Sequence, residues 1–120
     1  MIPTPRSGGA DAAAEIVHRL TAAHRTVAVA ESLKGGRVMA TLVDVPGASA
    51  VVRGGVVAYA TPLKSSLLGV DAGVLGARGP VDPDVAAAMA EGVRRAAAVD
   101  GAPADVGLAT TGVRRPGRSG

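Results

Sequence analysis

The hydrophobic pattern of the chain alternates between short apolar runs and stretches with helical periodicity. Runs typical of buried strands occur at residues 26–30, 54–60 and 104–110. Apolar positions at helical spacing predict helices over residues 11–24, about 35–44, 62–68 and 83–99, and residues 71–78 are ambiguous but fit a further short helix. Helices and strands that alternate in this order predict an α/β domain with a largely parallel sheet.

Helix-end signals support this division. Asp11 is a candidate N-cap for the first helix, and Asp82 for the last, where Pro83 stands at the first helical position. Two ion pairs at i,i+4 spacing are expected on the exposed helix faces: Glu15 with Arg19, and Glu91 with Arg95. Residues 1–10, with two Pro and two Gly, predict a disordered lead-in, so that residues 11–120 form the domain.

Composition changes the picture of the core. Hydrophobic residues make up 48% of the 120, yet there is one Tyr and no Phe or Trp, while Gly occurs 17 times. Such a core must be built from small side chains, so we expect backbones to approach closely. A small three-stranded sheet with thin side chains also leaves open edges, which predicts that the chain forms a homo-oligomer.

Several classes of protein are disfavoured by the same composition. The chain has no Cys, which excludes disulfides, thiol catalysis and zinc held by sulfur. No apolar run reaches the roughly 18 residues of a membrane helix, and no secretory signal is evident, so the expected location is the cytoplasm. The net charge of +3 comes from scattered arginines without aromatic neighbours, which argues against nucleic acid as a partner. His18 and His24 lack a metal-ligand frame, and we expect no metal and no cofactor.

The most informative segment for chemistry is residues 31–36, Glu-Ser-Leu-Lys-Gly-Gly, between the first predicted strand and the second predicted helix. Parallel α/β sheets place ligands at the carboxyl ends of their strands. A serine on this turn can attack a substrate, and N–H groups at the helix start can hold an anion or oxyanion. Gly35 and Gly36 permit close approach of a ligand. The alternative is that Ser32 only caps the helix and the glycines only turn the chain.

Tyr59 and Lys64 follow the second predicted strand, on the same edge as Ser32 if the two strands are parallel. A serine nucleophile needs a base, and neither histidine is placed to act as one. A Lys or Tyr of lowered pKa is the remaining option. The alternative is that Tyr59 packs a strand end and Lys64 is solvated.

The third predicted strand ends in Thr110-Thr111-Gly112, which offers hydroxyls and a flexible turn at the same edge, or is simply a strand end turning outward. Residues 112–119 differ by one residue from the phosphate-binding pattern G-x-x-x-x-G-K-S, since Arg118 stands in place of the lysine. With no helix following them, they do not predict a nucleotide-binding loop of that kind.

Five blocks of sequence together resemble the CinA C-terminal domain, the nicotinamide-nucleotide amidohydrolase family. They are T-V-A-V-A-E-S-x-x-G-G at 26–36, L-V-D-V-P-G-A-S at 42–49 with R-G-G-V-V-A-Y at 53–59, Lys64 with L-L-G-V at 67–70, V-D-P-D-V-A-A-A-M-A-E-G-V-R at 81–94, and Thr111-Gly112 with Pro116-Gly117. Their order and spacing match those of the family.

The resemblance implies a three-layer α/β/α sandwich and hydrolysis of the carboxamide of nicotinamide mononucleotide, a small-molecule nucleotide substrate. It implies that Ser32 is the nucleophile, and that Tyr59 and Lys64 activate it or hold the substrate. The residues implied to bind substrate are Glu31, Gly35, Gly36, Thr111 and Gly112.

The chain departs from the family pattern at three places. Leu33-Lys34 stands where the family has Cys-Thr, Arg114-Arg115 replaces small residues, and the family domain continues beyond the turn that follows the third strand. The chain therefore resembles a member of the family whose domain is incomplete at its C-terminal end. These departures keep an alternative open, in which the chain is a catalytically silent relative that binds a nucleotide or another subunit.

Overall fold

The computed structural model describes residues 8–110 of the chain. The helices in this part are α1 (Gly8–Ala23), α2 (Arg37–Val43), α3 (Thr61–Ser66), α4 (Ala72–Arg78) and α5 (Pro83–Ala96). The strands are β1 (Val27–Glu31), β2 (Val52–Val57) and β3 (Val106–Thr110), and a 3-10 turn spans Ala48–Ala50. The predicted order of elements is confirmed, and the ambiguous residues 71–78 do form a short helix.

The three strands form one parallel sheet in the order β2-β1-β3. Every residue of the central strand β1 is buried, as its continuous apolar run predicted. β3 was also expected to be buried, but it lies at an edge of the sheet and is partly exposed, with Val106 at 36%. The prediction of a parallel α/β fold is confirmed. The prediction that the third strand is buried is wrong, because the apolar pattern of a strand does not reveal whether it lies at the centre or the edge of the sheet.

Helices cover both faces of the sheet, which gives the three-layer α/β/α arrangement. On one face, Val29 of β1 packs in a cluster with Ala13 and Val17 of α1 and Leu42 of α2. On the other face, the neighbouring β1 residues pack in a second cluster with α5 and the α3–α4 region: Ala28, Ala30, Leu68, Val70, Leu75, Val85, Met89 and Val93. The alternation along β1 thus assigns its residues to two separate cores.

Backbones approach closely where α5 meets its neighbours. A Cβ at Gly107 of β3 would overlap the carbonyl oxygen of Ala90, and a Cβ at Gly92 would overlap that of Leu68. The prediction of close backbone approach is confirmed at these two positions, since any larger side chain there would push α5 away.

Helix ends follow the predicted signals in part. Asp82 caps α5 by accepting the N–H of Asp84 at 2.8 Å, and Pro83 is its first residue. α1 begins at Gly8, earlier than predicted, so Asp11 lies within its first turn instead of capping it. The expected ion pairs form, Glu15 with Arg19 at 2.8 Å and Glu91 with Arg95 at 3.0 Å. Among the described helices, none has the length and apolar character needed to cross a bilayer.

Candidate functional site

The carboxyl ends of the three strands meet at one edge of the sheet. In the parallel register, Glu31 at the end of β1 is paired with Val57 of β2 and with Thr110 of β3. The segments that follow these strands therefore start side by side. The prediction that the Ser32, Tyr59 and Thr110 regions share one edge is confirmed.

Ser32 follows directly after the buried strand β1, and its side chain is also buried, with 4% of the residue exposed. The next residues, Leu33, Lys34 and Gly35, are exposed. Gly35 and Gly36 have φ of +60° and +95°, in the left-handed region that favours glycine. The two glycines thus turn the chain sharply between β1 and α2.

Glu31 caps α2 from within the core. One carboxylate oxygen, Oε1, accepts the N–H groups of Gly36 at 3.2 Å and Val38 at 3.0 Å, and Oε2 accepts that of Met39 at 3.0 Å. The alternative in which Ser32 caps this helix is wrong, since Glu31 fills that role. The expected anion site at the start of α2 is also wrong, because these N–H groups are occupied and the Arg37 N–H donates to the Lys34 carbonyl at 3.1 Å.

The turn between β1 and α2 nevertheless holds free donors. The backbone N–H groups of Leu33, Lys34 and Gly35 make no hydrogen bond to any residue in the range 8–110. They belong to the exposed part of the turn that follows Ser32. Donors for a developing oxyanion would therefore come from this turn and not from the first turn of α2.

Lys64 is buried, with 1% of the residue exposed. Its Nζ donates a hydrogen bond of 2.7 Å to the carbonyl oxygen of Ala58, just beyond the end of β2. Burial lowers the pKa of Lys64 from its ordinary value, because removal from water disfavours the charged ammonium. The alternative in which Lys64 is solvated is therefore wrong.

Ala58 links Lys64 to the end of β1. The Ala58 N–H donates to the carbonyl oxygen of Glu31 at 2.8 Å, and the Ala58 carbonyl accepts Lys64 Nζ. Ala58, just beyond β2, is thus hydrogen-bonded both to the buried amine and to the backbone of Glu31, which precedes Ser32. Sequence reasoning missed Ala58, and since its contribution is a backbone carbonyl, no side-chain signal could have found it.

Tyr59, in contrast to Lys64, is exposed. It adjoins Ala58 in the chain, but 70% of the residue is exposed. The alternative in which Tyr59 packs the strand end is wrong. The structure therefore brings Ser32 and Lys64 into the buried part of the edge and leaves Tyr59 on its surface, where its ring and hydroxyl are open to solvent.

Thr110 supplies an unsatisfied hydroxyl at the end of β3. Its Oγ1 is buried and has no hydrogen-bond partner among residues 8–110. By strand alternation it lies on the same face as Leu108, beside its register partner Glu31. Thr111 and Gly112, which the sequence singled out for substrate binding, lie outside the described residues, as do Arg114 and Arg115.

Comparison with known proteins identifies the family. The sequence profile of the CinA C-terminal domain matches residues 9–119. The chain belongs to the CinA C-terminal domain family. A CinA-like protein of Frankia casuarinae is 51% identical over 111 residues, which are 91% of this chain and 24% of that protein. A CinA-like protein of Gloeobacter violaceus is 53% identical over 92 residues, 77% of this chain and 20% of that protein.

Solved structures agree with the CinA assignment. The competence/damage inducible protein CihA of Agrobacterium tumefaciens superposes with a TM-score of 0.80 at 30% identity, over 98% of this chain and 69% of that chain. A CinA superfamily protein of Enterobacter cloacae, at 22% identity and a TM-score of 0.69, shares the fold. This CinA domain spans about a quarter or less of the length of the curated relatives named above.

One edge of the sheet in this CinA domain combines the buried residue Ser32, a buried amine of lowered pKa and backbone N–H groups without a partner in residues 8–110. This is the set of groups that serine-based acyl transfer uses: a nucleophile, a base and oxyanion donors. Within residues 8–110, no group of three or more His, Asp or Glu side chains is placed to hold a metal ion.

Proposed function

We propose that this CinA domain is a nicotinamide mononucleotide amidohydrolase in which Ser32 is the nucleophile and Lys64 its base. The observation that carries the proposal is the burial of Lys64 beside the end of β1, with its pKa lowered. A lysine is useful as a base only when part of its population is neutral near working pH, and burial is the means by which a protein achieves this.

The reaction proceeds in two steps. Ser32 Oγ attacks the carboxamide carbon, neutral Lys64 accepts the hydroxyl proton, and the carbonyl oxygen becomes an oxyanion facing the N–H groups of the turn at 33–35. Collapse of this intermediate breaks the C–N bond, and the proton passes to the leaving nitrogen, which departs as ammonia. Water then hydrolyses the Ser32 ester, so that nicotinate mononucleotide is released and Ser32 regains its proton.

The other predicted residues have supporting roles in this scheme. Glu31 holds the turn through its three hydrogen bonds to α2, and Gly35 and Gly36 supply its left-handed backbone. Tyr59, exposed at the rim, is placed to contact a substrate that enters from solvent. Thr111 and Gly112 complete the pocket by resemblance to the family.

The test is ammonia release from nicotinamide mononucleotide by the purified chain and by Ser32→Ala. We expect the variant to lose at least about 100-fold in kcat, since it removes the nucleophile. Ser49→Ala is the matched control, because Ser49 is an exposed serine in the 3-10 turn and should leave the rate unchanged. Equal rates for the wild type and Ser32→Ala would show that the proposal is wrong.

A second candidate is a catalytically silent module that binds a nucleotide or another subunit. It is favoured by the occupied N-terminus of α2, which removes those amides as oxyanion donors, and by Lys34 in the turn. Thermal unfolding separates the two. Nucleotide at 100 times its dissociation constant should stabilise the fold by about 2.7 kcal/mol. Stabilisation without ammonia release would favour the binding module.

A further inference from the structure

The strand β2 is open along one side. In the sheet order β2-β1-β3 it is paired with β1 alone. The Ala58 N–H, just beyond β2, donates to the Glu31 carbonyl of β1 at 2.8 Å. Because residues of a parallel ladder alternate in direction, the N–H and C=O groups of Gly55 and Val57 point away from β1. Both residues are exposed, so four backbone hydrogen-bonding groups face outward from this edge.

β2 lacks the usual protection of an edge strand. Charged side chains, prolines and bulges shield such edges and discourage pairing with another chain. The single charged residue of β2 is Arg53, and its guanidinium is engaged elsewhere, since Nη1 donates to the carbonyls of Ala97 and Ala102. The irregular register of the β1–β2 ladder is confined to the start of β2. Residues 54–57 thus form a regular, uncharged edge.

Helix α2 flanks this edge and adds apolar surface to it. A Cβ at Gly36, before α2, would lie 3.8 Å from Val57 Cγ2, and one at Gly55 would lie 3.4 Å from Sδ of Met39. α2 therefore runs antiparallel to β2. Val43 lies one helical turn beyond Met39 on the same side of α2. Val43 and Val57 are 53% and 45% exposed, so the open edge adjoins an exposed apolar strip.

We propose that β2 pairs with β2 of a second copy of the chain, antiparallel across a two-fold axis, to form a continuous six-stranded sheet. With Gly55 opposite Val57 of the partner subunit, each such pair exchanges two hydrogen bonds, and the two symmetric pairs make four. Opposite residues share a face of the sheet, so Gly55 leaves room for the exposed valine. This arrangement locates the homo-oligomer that open edges predict, and it does not depend on the proposed function.

The ends of α2 carry complementary charges for this arrangement. α2 packs on both β1 and β2. With strands about 4.8 Å apart, the two-fold axis brings α2 to about 10 Å from an antiparallel copy of itself, which is a helix-packing distance. Arg37 begins α2 and Asp44 is its C-cap, both are exposed, and neither forms an ion pair within residues 8–110. Each Arg37 then lies at the helix end that carries Asp44 of the partner subunit.

The helix dipole favours the same partner. A cation is unfavourable at the N-terminal end of its own helix, and an anion is unfavourable at the C-terminal end. α2 has both, with Arg37 at its start and Asp44 at its end. Beside an antiparallel copy, each charge lies next to the opposite end of the partner helix, where the dipole attracts it. A second copy of this chain therefore satisfies the charges as well as the strand edge.

The first test is a cross-link, which is selective because the chain has no Cys. In the proposed register, Val56 lies opposite Val56 of the partner subunit with a Cα separation of about 4.5 Å, within the range of about 4.4–6.8 Å found in disulfides. We expect the full chain with Val56→Cys to form a disulfide-linked dimer on mild oxidation. Leu108→Cys is the matched control on the other edge strand, β3, where Leu108 likewise directs its backbone groups toward β1, and it should not cross-link.

The second test uses the charges and stands even if a cysteine disturbs the strand. Light scattering over a concentration series should show a dimer in the wild type. Arg37→Glu and Asp44→Arg should each weaken dimerisation by about tenfold, because each change turns two symmetric attractions into repulsions. The double variant should restore it. Both side chains are exposed, and circular dichroism checks that every variant folds.

Three results would overturn the proposal. The first is a wild type that stays monomeric across the concentration series. The second is the absence of a cross-link in folded Val56→Cys, and a cross-link in Leu108→Cys instead would assign the interface to β3. The third is a double charge variant that associates no better than the single ones, since α2 would then not lie beside its copy. Ammonia release enters neither test, so these outcomes are separate from those of the proposed function.

Discussion

Two buried charges of opposite sign at the carboxyl edge of the sheet are satisfied differently. At the end of β1, the Glu31 carboxylate accepts three backbone N–H groups at the start of α2. In α3, which follows β2, the Lys64 ammonium donates to one carbonyl, that of Ala58. An ammonium has three donors, so two of them have no partner among the described residues.

This difference in hydrogen bonding distinguishes the structural role of Glu31 from the reactive role proposed for Lys64. A buried carboxylate that accepts three amide N–H groups is well satisfied and fixes the geometry of the turn. A buried ammonium with one acceptor is less well satisfied, and its pKa is lowered by desolvation. Glu31 thus fixes the turn that carries Ser32, while the lowered pKa of Lys64 supports the role of base proposed for it.

The largest expected effect comes from Lys64→Met, which keeps a long side chain but removes the amine. We expect ammonia release to fall by at least about 100-fold, since a general base contributes 10²–10⁴-fold. The free energy of unfolding should change by only about 1 kcal/mol, because an apolar replacement also removes the cost of a buried charge. Steady-state kinetics and urea unfolding measure the two effects. Retained activity in this variant would end the assignment of Lys64 as the base.

Glu31→Gln should instead act on stability. The amide presents N–H donors where the carboxylate presented only acceptors, so at least one amide of α2 loses its partner. Hydrogen bonds to charged groups contribute about 1.5–3 kcal/mol, and we expect a loss of about 2–3 kcal/mol in the free energy of unfolding. Glu15→Gln, at an exposed ion pair, is the control and should cost about 0.5 kcal/mol or less. Equal losses in the two variants would contradict a structural role for Glu31.

Much of the fold was predictable because it depends on local patterns. The apolar run of β1, the Asp82-Pro83 start of α5 and the Glu15–Arg19 pair each carry their signal within a few residues, and each was predicted. The edge shared by Ser32 and Lys64 also followed from parallel strands. These features need no knowledge of which elements are neighbours in space.

The remaining features depend on tertiary neighbours. The sequence left open whether Lys64 or Tyr59 is the buried group beside Ser32, because burial is decided by what packs over a residue and not by residue type alone. The capping of α2 by Glu31 had no local signal either, since this glutamate precedes the helix by six residues across a glycine turn.

The pH dependence of stability gives a smaller effect that sharpens the contrast between the two charges. At a pH below this lowered pKa, Lys64 is charged in the folded protein, and the unfavourable free energy of burying that charge is present in full. Between that pKa and its ordinary value of 10.5, the unfolded chain binds a proton that the folded chain has released. Stability should therefore rise with pH in this interval. Urea midpoints at pH 7 and at pH 10 measure the rise, which Lys64→Met should flatten. If the urea midpoint of the wild type fell between pH 7 and pH 10 and that of Lys64→Met did not, the prediction would be wrong.

The smallest expected effect is at the opposite edge of the sheet, where Asp105 is an exposed counterpart of Glu31. Its carboxylate accepts the N–H of Thr26 at 2.8 Å and the Thr26 hydroxyl at 3.1 Å, and these bonds hold the pKa of Asp105 below its ordinary value of 3.8. A carboxyl of depressed pKa contributes stability above its unfolded value and loses it as pH falls through the folded value. Stability should therefore fall below about pH 4, less steeply in Asp105→Asn than in the wild type. Both carboxylates accept backbone N–H groups, but only Glu31 is buried. We therefore expect Asp105→Asn to lower the free energy of unfolding at pH 7 by less than Glu31→Gln does. Equal losses in the two variants would show that burial does not strengthen the hydrogen bonds of Glu31.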